Sequence, residues 1–167
     1  MGEILRYGVL SDTHGSVPPA VFDLFRGVRR IYHCGDAGSQ ECLMDLEAIA
    51  PLRAVYGNMD PWSIAAAWPE KVIEAAEFGT VVLYHGSRFG HSNEAIMQGL
   101  YREFAADKPR LILFGHTHAA VSELRHGVLF VNPGSASLPR PGAGPTVAIV
   151  GYNAGSGNVD AKIVPLA

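Results

Sequence analysis

Cysteine and charged residues are scarce in this sequence, and long apolar runs are missing from it. The two cysteines, Cys34 and Cys42, cannot build a disulfide framework, and no Cys-x-x-Cys pair is present. Charged residues make up 17% of the 167 positions, and the formal net charge of −3 argues against an extended nucleic-acid-binding surface. This charge balance does not exclude a small phosphate ester as a ligand.

No apolar run approaches the roughly 20 residues that a membrane-spanning helix needs, and the chain does not open on a basic stretch followed by an apolar one. We therefore expect no membrane partner and a protein of the reducing cytoplasm. Hydrophobic residues reach 48%, and a chain of this length can bury one sizeable core. We predict a single domain over residues 1–167, while nothing in the pattern indicates an oligomeric state.

Apolar, β-branched runs alternate with helix-like stretches through the first two-thirds of the chain, which is typical of α/β layers. Helices are predicted near residues 18–27, 40–50 and 92–107. Strands are predicted at 4–10, 29–33, 52–56, 72–76, 80–84 and 110–114. The last third adds strands at 121–125, 128–132, 145–152 and 158–165, the first two joined by a His126-Gly127 turn.

Metal-capable side chains follow the predicted strands, and each lies beside a glycine. The strands end in "SDTHG", "CGDAG", "GNMD", "HGS" and "GHTH". Open α/β sheets place their sites beyond the carboxyl ends of the strands, so these junctions should converge. Asp-Thr-His-Gly is also ordinary turn chemistry, so one such pair alone indicates little. The candidate ligands are Asp12, His14, Asp36, Asn58, His85, His116 and His118.

Seven ligands are too many for one tetrahedral zinc ion and instead suit two ions that share a ligand. Asp36 is the natural bridge, because a carboxylate has two oxygens. Asp12 and His14 would then hold the first ion together with Asp36. The chain rises about 6.6 Å between His116 and His118 if extended, enough to reach both members of a metal pair about 3.5–4 Å apart.

In this order, Asp-x-His, Gly-Asp, Gly-Asn, His-Gly and Gly-His-x-His resemble the motifs of the calcineurin-like metallophosphoesterases. The Gly-Asn-x-Asp form at 57–60 and "NPGS" at 132–135 are similar to the small prokaryotic phosphodiesterases of that superfamily. The resemblance implies a four-layer α/β/β/α sandwich of two mixed sheets flanked by helices. It implies one ion bound by Asp12, His14, Asp36 and His118, and a second bound by Asp36, Asn58, His85 and His116.

The expected function is metal-dependent hydrolysis of small phosphodiesters. Two divalent ions lower the pKa of a shared water towards neutrality, so a metal-bound hydroxide is the expected nucleophile. Asp36, Asn58 and His85 are the expected catalytic residues, because they would hold the bridge and the second ion. Manganese is the expected metal, with iron, zinc, nickel and cobalt as alternatives, since oxygen and imidazole donors accept all of them.

Two positions depart from the resembled patterns. Met59 stands where related serine/threonine phosphatases carry a histidine that acts as the acid for the leaving group, and a thioether has no proton to give. The general acid is therefore unassigned. Ser87 stands where close relatives commonly have a second histidine, which leaves the substrate preference open.

Two other functions are alternatives: a phosphomonoesterase of the same fold, and a metal-binding scaffold for protein assembly without significant turnover. The remaining histidines and loop arginines have packing or solvation as their simplest interpretation. His33 is also a candidate hydrogen-bond partner of the site, and His91, Arg88 and Arg140 are candidates for contact with a substrate phosphate.

Overall fold

Ten strands form two five-stranded sheets in the computed structural model, which describes residues 2–166. The strands are β1 (Ile4–Leu10), β2 (Arg30–His33), β3 (Leu52–Ala54), β4 (Lys71–Ala76), β5 (Gly79–Tyr84), β6 (Leu111–Leu113), β7 (Val121–Arg125), β8 (Val128–Asn132), β9 (Thr146–Asn153) and β10 (Asn158–Pro165). The helices are α1 (Pro19–Leu24), α2 (Gln40–Glu47), α3 (Trp62–Ala67) and α4 (Asn93–Phe104), with 3₁₀ turns at Ser87–Phe89 and Ala105–Asp107.

Both sheets are mixed, as predicted. The first has the strand order β10-β9-β1-β2-β3, and the second has the order β4-β5-β6-β8-β7. Strands β1, β2 and β3 run parallel, as do β5, β6 and β8, while the outer strands β4, β7, β9 and β10 pair antiparallel with their neighbours. The carboxyl ends of parallel neighbours lie at one edge of each sheet, where the loops after β1, β2, β3, β5 and β6 begin.

Alternating side chains on the central strands divide the core into three apolar layers. Tyr7 and Val9 of β1 pack between the two sheets, whereas Leu10 faces the helices on the outside of the first sheet. On β5, Leu83 packs between the sheets and Val82 packs against α4. This period of two is the strand geometry expected for residues buried on both faces. The three layers make the four-layer α/β/β/α sandwich, which confirms the predicted fold class.

Serine caps begin the two longer helices. The Ser92 hydroxyl accepts a hydrogen bond from the Ala95 amide at the start of α4, and Ser39 does the same for Cys42 at the start of α2. The apolar face of α4 is buried, including Leu100. Within residues 2–166, no helix has both the length and the apolarity that a membrane crossing requires.

A carboxylate ties an outer strand of the second sheet to the first sheet. Glu74 of β4 accepts hydrogen bonds from Arg30 (2.7 Å), Tyr32 (3.0 Å) and Arg53 (2.8 Å), which belong to β2 and β3. The Glu74 side chain is 17% exposed. This network closes the sandwich on the β3–β4 side, where the packed apolar layer between the sheets ends.

The structure differs from the sequence-based elements mainly at their ends. Helix α3 was not predicted, because Asp60-Pro61 reads as a turn and the six-residue helix presents only one fully buried side chain, Ile64. Strands β3 and β6 end two and one residues earlier than predicted, at Ala54 and Leu113. The residues after each strand instead lead the chain into the loops described next.

Candidate metal centre

The loops after β1, β2, β3, β5 and β6 bring all seven predicted ligands into one cluster. The cluster contains two groups of three residues. Within each group, one possible ligand atom from each residue lies within 4.8 Å of the other two. The first group is Asp12, His14 and His118, and the second is Asp12, Asp36 and His85. Asn58 and His116 adjoin the second group: the Asn58 Oδ1 atom lies 3.0 Å from His85 Nε2 and 3.1 Å from His116 Nδ1.

The first group surrounds an oxygen that has no hydrogen-bond partner among the described residues. Asp12 Oδ1 is buried and unpartnered, and it lies 3.2 Å from His118 Nε2 and 3.9 Å from His14 Nε2. The two imidazole nitrogens are 3.3 Å apart. A buried carboxylate oxygen without a partner is costly, and a cation held by it and two ring nitrogens would remove that cost. The residues present therefore fit a metal ion.

Backbone carbonyls orient two of the imidazoles. His85 Nδ1 lies 2.7 Å from the Cys34 carbonyl, and His118 Nδ1 lies 2.6 Å from the Leu138 carbonyl. A carbonyl can only accept, so each Nδ1 carries the proton and donates it. The Nε2 atom of each ring then points into the cluster, which is the arrangement that metal-binding histidines show.

The two carboxylates have different places in the cluster. Asp12 belongs to both groups, whereas Asp36 belongs only to the second, with its Oδ2 3.3 Å from His85 Nε2. The sequence assigned the bridging role to Asp36. The geometry also offers Asp12 for this role, and the choice between them stays a prediction that the variants discussed below can test.

Interactions within the cluster favour the ionised form of the Asp36 carboxylate and raise the pKa of two histidines. Burial raises the pKa of Asp36, but its interactions with His85 and with the Met59 amide hold that pKa below its usual value. Burial lowers the pKa of His85, and the two carboxylates outweigh it, so this pKa is raised. The Asp12 carboxylate likewise raises the pKa of His118. Beside His85 and His118 the carboxylates therefore favour positive charge, as a cation site requires, whereas burial lowers the pKa of His116.

The cluster also concentrates unusual backbone conformations. Seven residues other than glycine have a positive φ in the described chain, and five of them are candidate ligands, with φ between 45° and 72°. These five are Asp12, His14, Asp36, His116 and His118. Such conformations persist when the surroundings enforce them. Here the loops bind one another: the Asp12 amide donates to the Gly35 carbonyl, and the His14 amide donates to the Asp36 carbonyl.

Two glycines allow the loops to approach so closely. A Cβ atom on Gly57 would lie 2.1 Å from Asp36 Oδ1, and one on Gly115 would lie 2.1 Å from Ser11 Oγ. Neither position could carry a side chain without displacing its neighbour. The glycines that precede Asn58 and His116 thus have a steric reason, which is close packing against the preceding loops of the cluster.

Asn132 and Ser135, which belong to "NPGS", support the ligand loops. The fully buried Asn132 amide donates to the Gly115 carbonyl (3.1 Å) and to Thr117 Oγ1 (2.9 Å), on either side of His116. Ser135 Oγ donates to the Asp12 carbonyl at 2.7 Å. The sequence indicated this motif only through the family resemblance, because its partners lie up to 123 positions away.

Asp60, the last residue of the Gly-Asn-x-Asp motif, joins two of the loops. Its two carboxylate oxygens accept from the Gly38 and Gly57 amides, each at 2.8 Å, and so join the loops after β2 and β3. The carboxylate is directed to the backbone, so Asp60 has a structural role beside the candidate ligand Asn58.

His33 contacts the ligand loops without belonging to the ligand groups. Its Nδ1 accepts from the Gly35 amide at 3.2 Å, and its Nε2 lies 2.9 Å from Thr13 Oγ1, which itself donates to the Ala37 carbonyl. Burial lowers the pKa of His33 to about 4. A neutral imidazole therefore joins the loops after β1 and β2.

Two further residues considered from the sequence lie at the rim of the cluster. Met59 is 68% exposed, while its amide donates to Asp36 Oδ1 at 2.8 Å. Arg140 lines a cavity of about 290 Å³ beside His116 and His118, and its Nε donates to the Thr117 carbonyl. Arg88 forms an ion pair with Glu103.

Ser87 lies on the other side, in a cavity of about 220 Å³ that Asn58 and His85 also line. Two cavities therefore flank the cluster, one beside each group of ligands. Each has room for a part of a small ester.

Known proteins are similar to this chain in sequence and in fold. Residues 5–155 match the family model of the calcineurin-like phosphoesterase superfamily domain. A probable metallophosphoesterase of Methanothermobacter thermautotrophicus is 36% identical over 138 residues, which are 80% of this chain and 78% of the relative. A phosphodiesterase of Methanocaldococcus jannaschii is 28% identical over 163 residues, covering 87% of this chain and 92% of its own.

A solved structure of Vps29 from Entamoeba histolytica is similar with a TM-score of 0.72 at 20% identity, covering 98% of this chain and 100% of that one. At this identity the likeness concerns the fold alone. The family match spans most of the chain, including every candidate ligand. This chain belongs to the calcineurin-like phosphoesterase superfamily.

Proposed function

We propose that this chain is a metal-dependent phosphodiesterase that hydrolyses small phosphodiesters at a two-metal centre formed by the seven ligands. The observation that carries the proposal is the buried, unpartnered Asp12 Oδ1, which faces two imidazole nitrogens and belongs to a carboxylate common to both ligand groups. The likeness to an archaeal phosphodiesterase over nearly the whole chain supports the substrate class. We propose manganese as the metal and the cytoplasm as the location, the latter in keeping with two free, buried cysteines.

Two divalent ions would supply Lewis acidity for the phosphoryl group and make water nucleophilic near neutral pH. Two buried protein nucleophiles beside the ligands, Ser11 and Cys34, are occupied or protonated. Ser11 Oγ donates its proton to Asp12 Oδ2 at 2.6 Å, and burial raises the pKa of the inaccessible Cys34 thiol. Water is therefore the nucleophile that the site favours.

The ligand side chains supply charge and orientation. Asp12 and Asp36 provide the negative charge that retains two cations, and the Asn58 amide oxygen lies between the His85 and His116 rings as a neutral donor. Because the hydrogen-bonded loops hold these groups in place before any ligand arrives, little reorganisation is needed during reaction.

The exposed Met59 side chain beside Asp36 determines which leaving groups the site should favour. A thioether cannot protonate a departing alkoxide, so esters with stable leaving anions should react fastest. An aryl diester is for this reason the most informative first substrate.

The test compares bis(4-nitrophenyl) phosphate with 4-nitrophenyl phosphate at added Mn²⁺, Zn²⁺, Ni²⁺ or Co²⁺. Metal-dependent hydrolysis with higher kcat/KM for the diester is expected. Asp36→Asn should abolish it, whereas Asp45→Asn, a matched change at an exposed position of α2, should not. Faster hydrolysis of the monoester would instead indicate a phosphomonoesterase, and metal binding without turnover would indicate a scaffold.

A further inference from the structure

The outer nitrogen of His116 faces a side chain outside the ligand motifs. Inside the cluster, His116 Nδ1 lies 3.1 Å from Asn58 Oδ1, while on the other side of the ring its Nε2 lies 3.2 Å from Nδ1 of His91. The centres of the two histidine rings are 5.3 Å apart. A histidine that binds a metal through one nitrogen carries a proton on the other, and that N–H needs an acceptor.

The hydrogen-bond acceptor that faces His116 Nε2 is a side chain, whereas the acceptors that face His85 and His118 are backbone carbonyls. His85 and His118 donate to the backbone carbonyls of Cys34 and Leu138, which the fold holds in place whatever the side chains are. His116 has the imidazole nitrogen of His91 in the equivalent position. The orientation of this one ligand therefore depends on a side chain, and a substitution can remove it.

His91 is held near His116 by the residue two positions later. The Asn93 amide donates to the Ala119 carbonyl at 2.8 Å, and its oxygen accepts from Thr117 Oγ1 at 2.7 Å. Both partners lie in the loop that carries His116. The segment of His91 and the loop of His116 thus form one hydrogen-bonded unit, so the contact between the rings does not depend on a freely moving loop.

We propose that His91 is a positioning residue for the metal subsite of Asn58, His85 and His116. Its Nδ1 accepts the hydrogen bond from His116 Nε2–H, fixes the rotation of that ring and keeps His116 Nδ1 directed at the ion. The inference rests on the proposed function, because it concerns the same centre. Loss of such an outer partner typically lowers metal affinity about 10- to 100-fold.

The test is calorimetric titration of Mn²⁺ into chelator-stripped protein. His91→Leu removes the acceptor, whereas His91→Asn offers a carboxamide oxygen close to the place of Nδ1. His126→Asn is the control for loss of a histidine, because that ring stacks on Tyr101 at a centroid distance of 4.8 Å, away from the ligands. Thermal unfolding of each metal-free variant checks that it is folded.

Wild type should bind two ions. His91→Leu should bind one ion as wild type does and the other about 10- to 100-fold more weakly, while His91→Asn and His126→Asn should stay within a few-fold of wild type. Hydrolysis of bis(4-nitrophenyl) phosphate by His91→Leu should recover as Mn²⁺ is raised. A general packing defect would not give this recovery.

Unchanged binding of both ions by His91→Leu would overturn the inference, as would equal weakening in His91→Leu and His91→Asn. Failure of the proposed function has a different signature. A wild type that binds two ions and hydrolyses neither ester overturns the function alone, and one that binds fewer than two ions overturns both.

Discussion

Gly57→Ala should disable the metal centre by displacing a carboxylate that is itself unchanged. The added Cβ would lie 2.1 Å from Asp36 Oδ1 and 2.6 Å from the Asp36 amide nitrogen, where a tolerable contact needs at least 3.0 Å. The Asp36 carboxylate must therefore move by roughly 1 Å, and a displacement of that size at a reacting centre can lower the rate about 100-fold. The strain of overpacking should lower the free energy of unfolding by about 1–3 kcal/mol.

Gly144→Ala is the matched control, because a Cβ at that position meets no atom within 4 Å. Mn²⁺ affinity by calorimetry, hydrolysis of bis(4-nitrophenyl) phosphate and the Tm of the metal-free protein would be measured for both variants. Gly57→Ala should fall below Gly144→Ala in all three. Equal values for the two variants would refute the argument that the contact between these loops positions Asp36.

Three further variants test separate parts of the structure. A bridging Asp12 requires that Asp12→Asn weaken both Mn²⁺ sites at least about tenfold while Asp36→Asn spares the site of His14 and His118; calorimetry showing the reverse would support Asp36 as the bridge, as the sequence predicts. Burial raises the pKa of Glu74, but the two arginines and the tyrosine that donate to it hold the pKa below its usual value. Glu74→Gln should therefore lower stability by about 1–3 kcal/mol at pH 7. This difference should shrink as the pH falls below the ordinary glutamate pKa of about 4.3, and a pH-independent gap in Tm would contradict the assignment. Asn132→Ala should lower both Tm and Mn²⁺ affinity, and equal effects from Asn158→Ala, at the exposed start of β10, would argue against a role for Asn132 in the ligand loops.

The sequence predicted the fold best where an alternating apolar pattern is bounded by clear turn residues. Strand β10 and the β7–β8 hairpin have the predicted bounds, and the turn residues His126 and Gly127 both have the positive φ that a tight two-residue turn requires. Helix α3 had no such signal. Its formation depends on burial of Ile64 in the apolar layer to which α1, α2 and the first sheet also contribute, and a local pattern does not contain that layer.

The convergence of the seven candidate ligands was predictable from the sequence, and their mutual arrangement was less so. Strand ends followed by Asp, Asn or His with glycine indicated where the ligands should meet, because parallel strands share an edge. The contacts that orient them were beyond the pattern. Asn132 contacts a loop 15 to 17 positions away, and the neighbour of His116 is a histidine 25 positions earlier in the chain.

The left-handed conformation of five candidate ligands has a consequence for variation in this chain. A residue with a side chain in that region costs on the order of 1 kcal/mol relative to glycine, so the five together offset several kcal/mol of a total stability that is commonly 5–15 kcal/mol. Glycine substitutions at these positions would relax the backbone and give more stable proteins that have lost the side-chain atoms able to bind a metal. Selection for thermal robustness alone would therefore erode this centre, and only selection for its chemistry would keep aspartate and histidine in such unfavourable places.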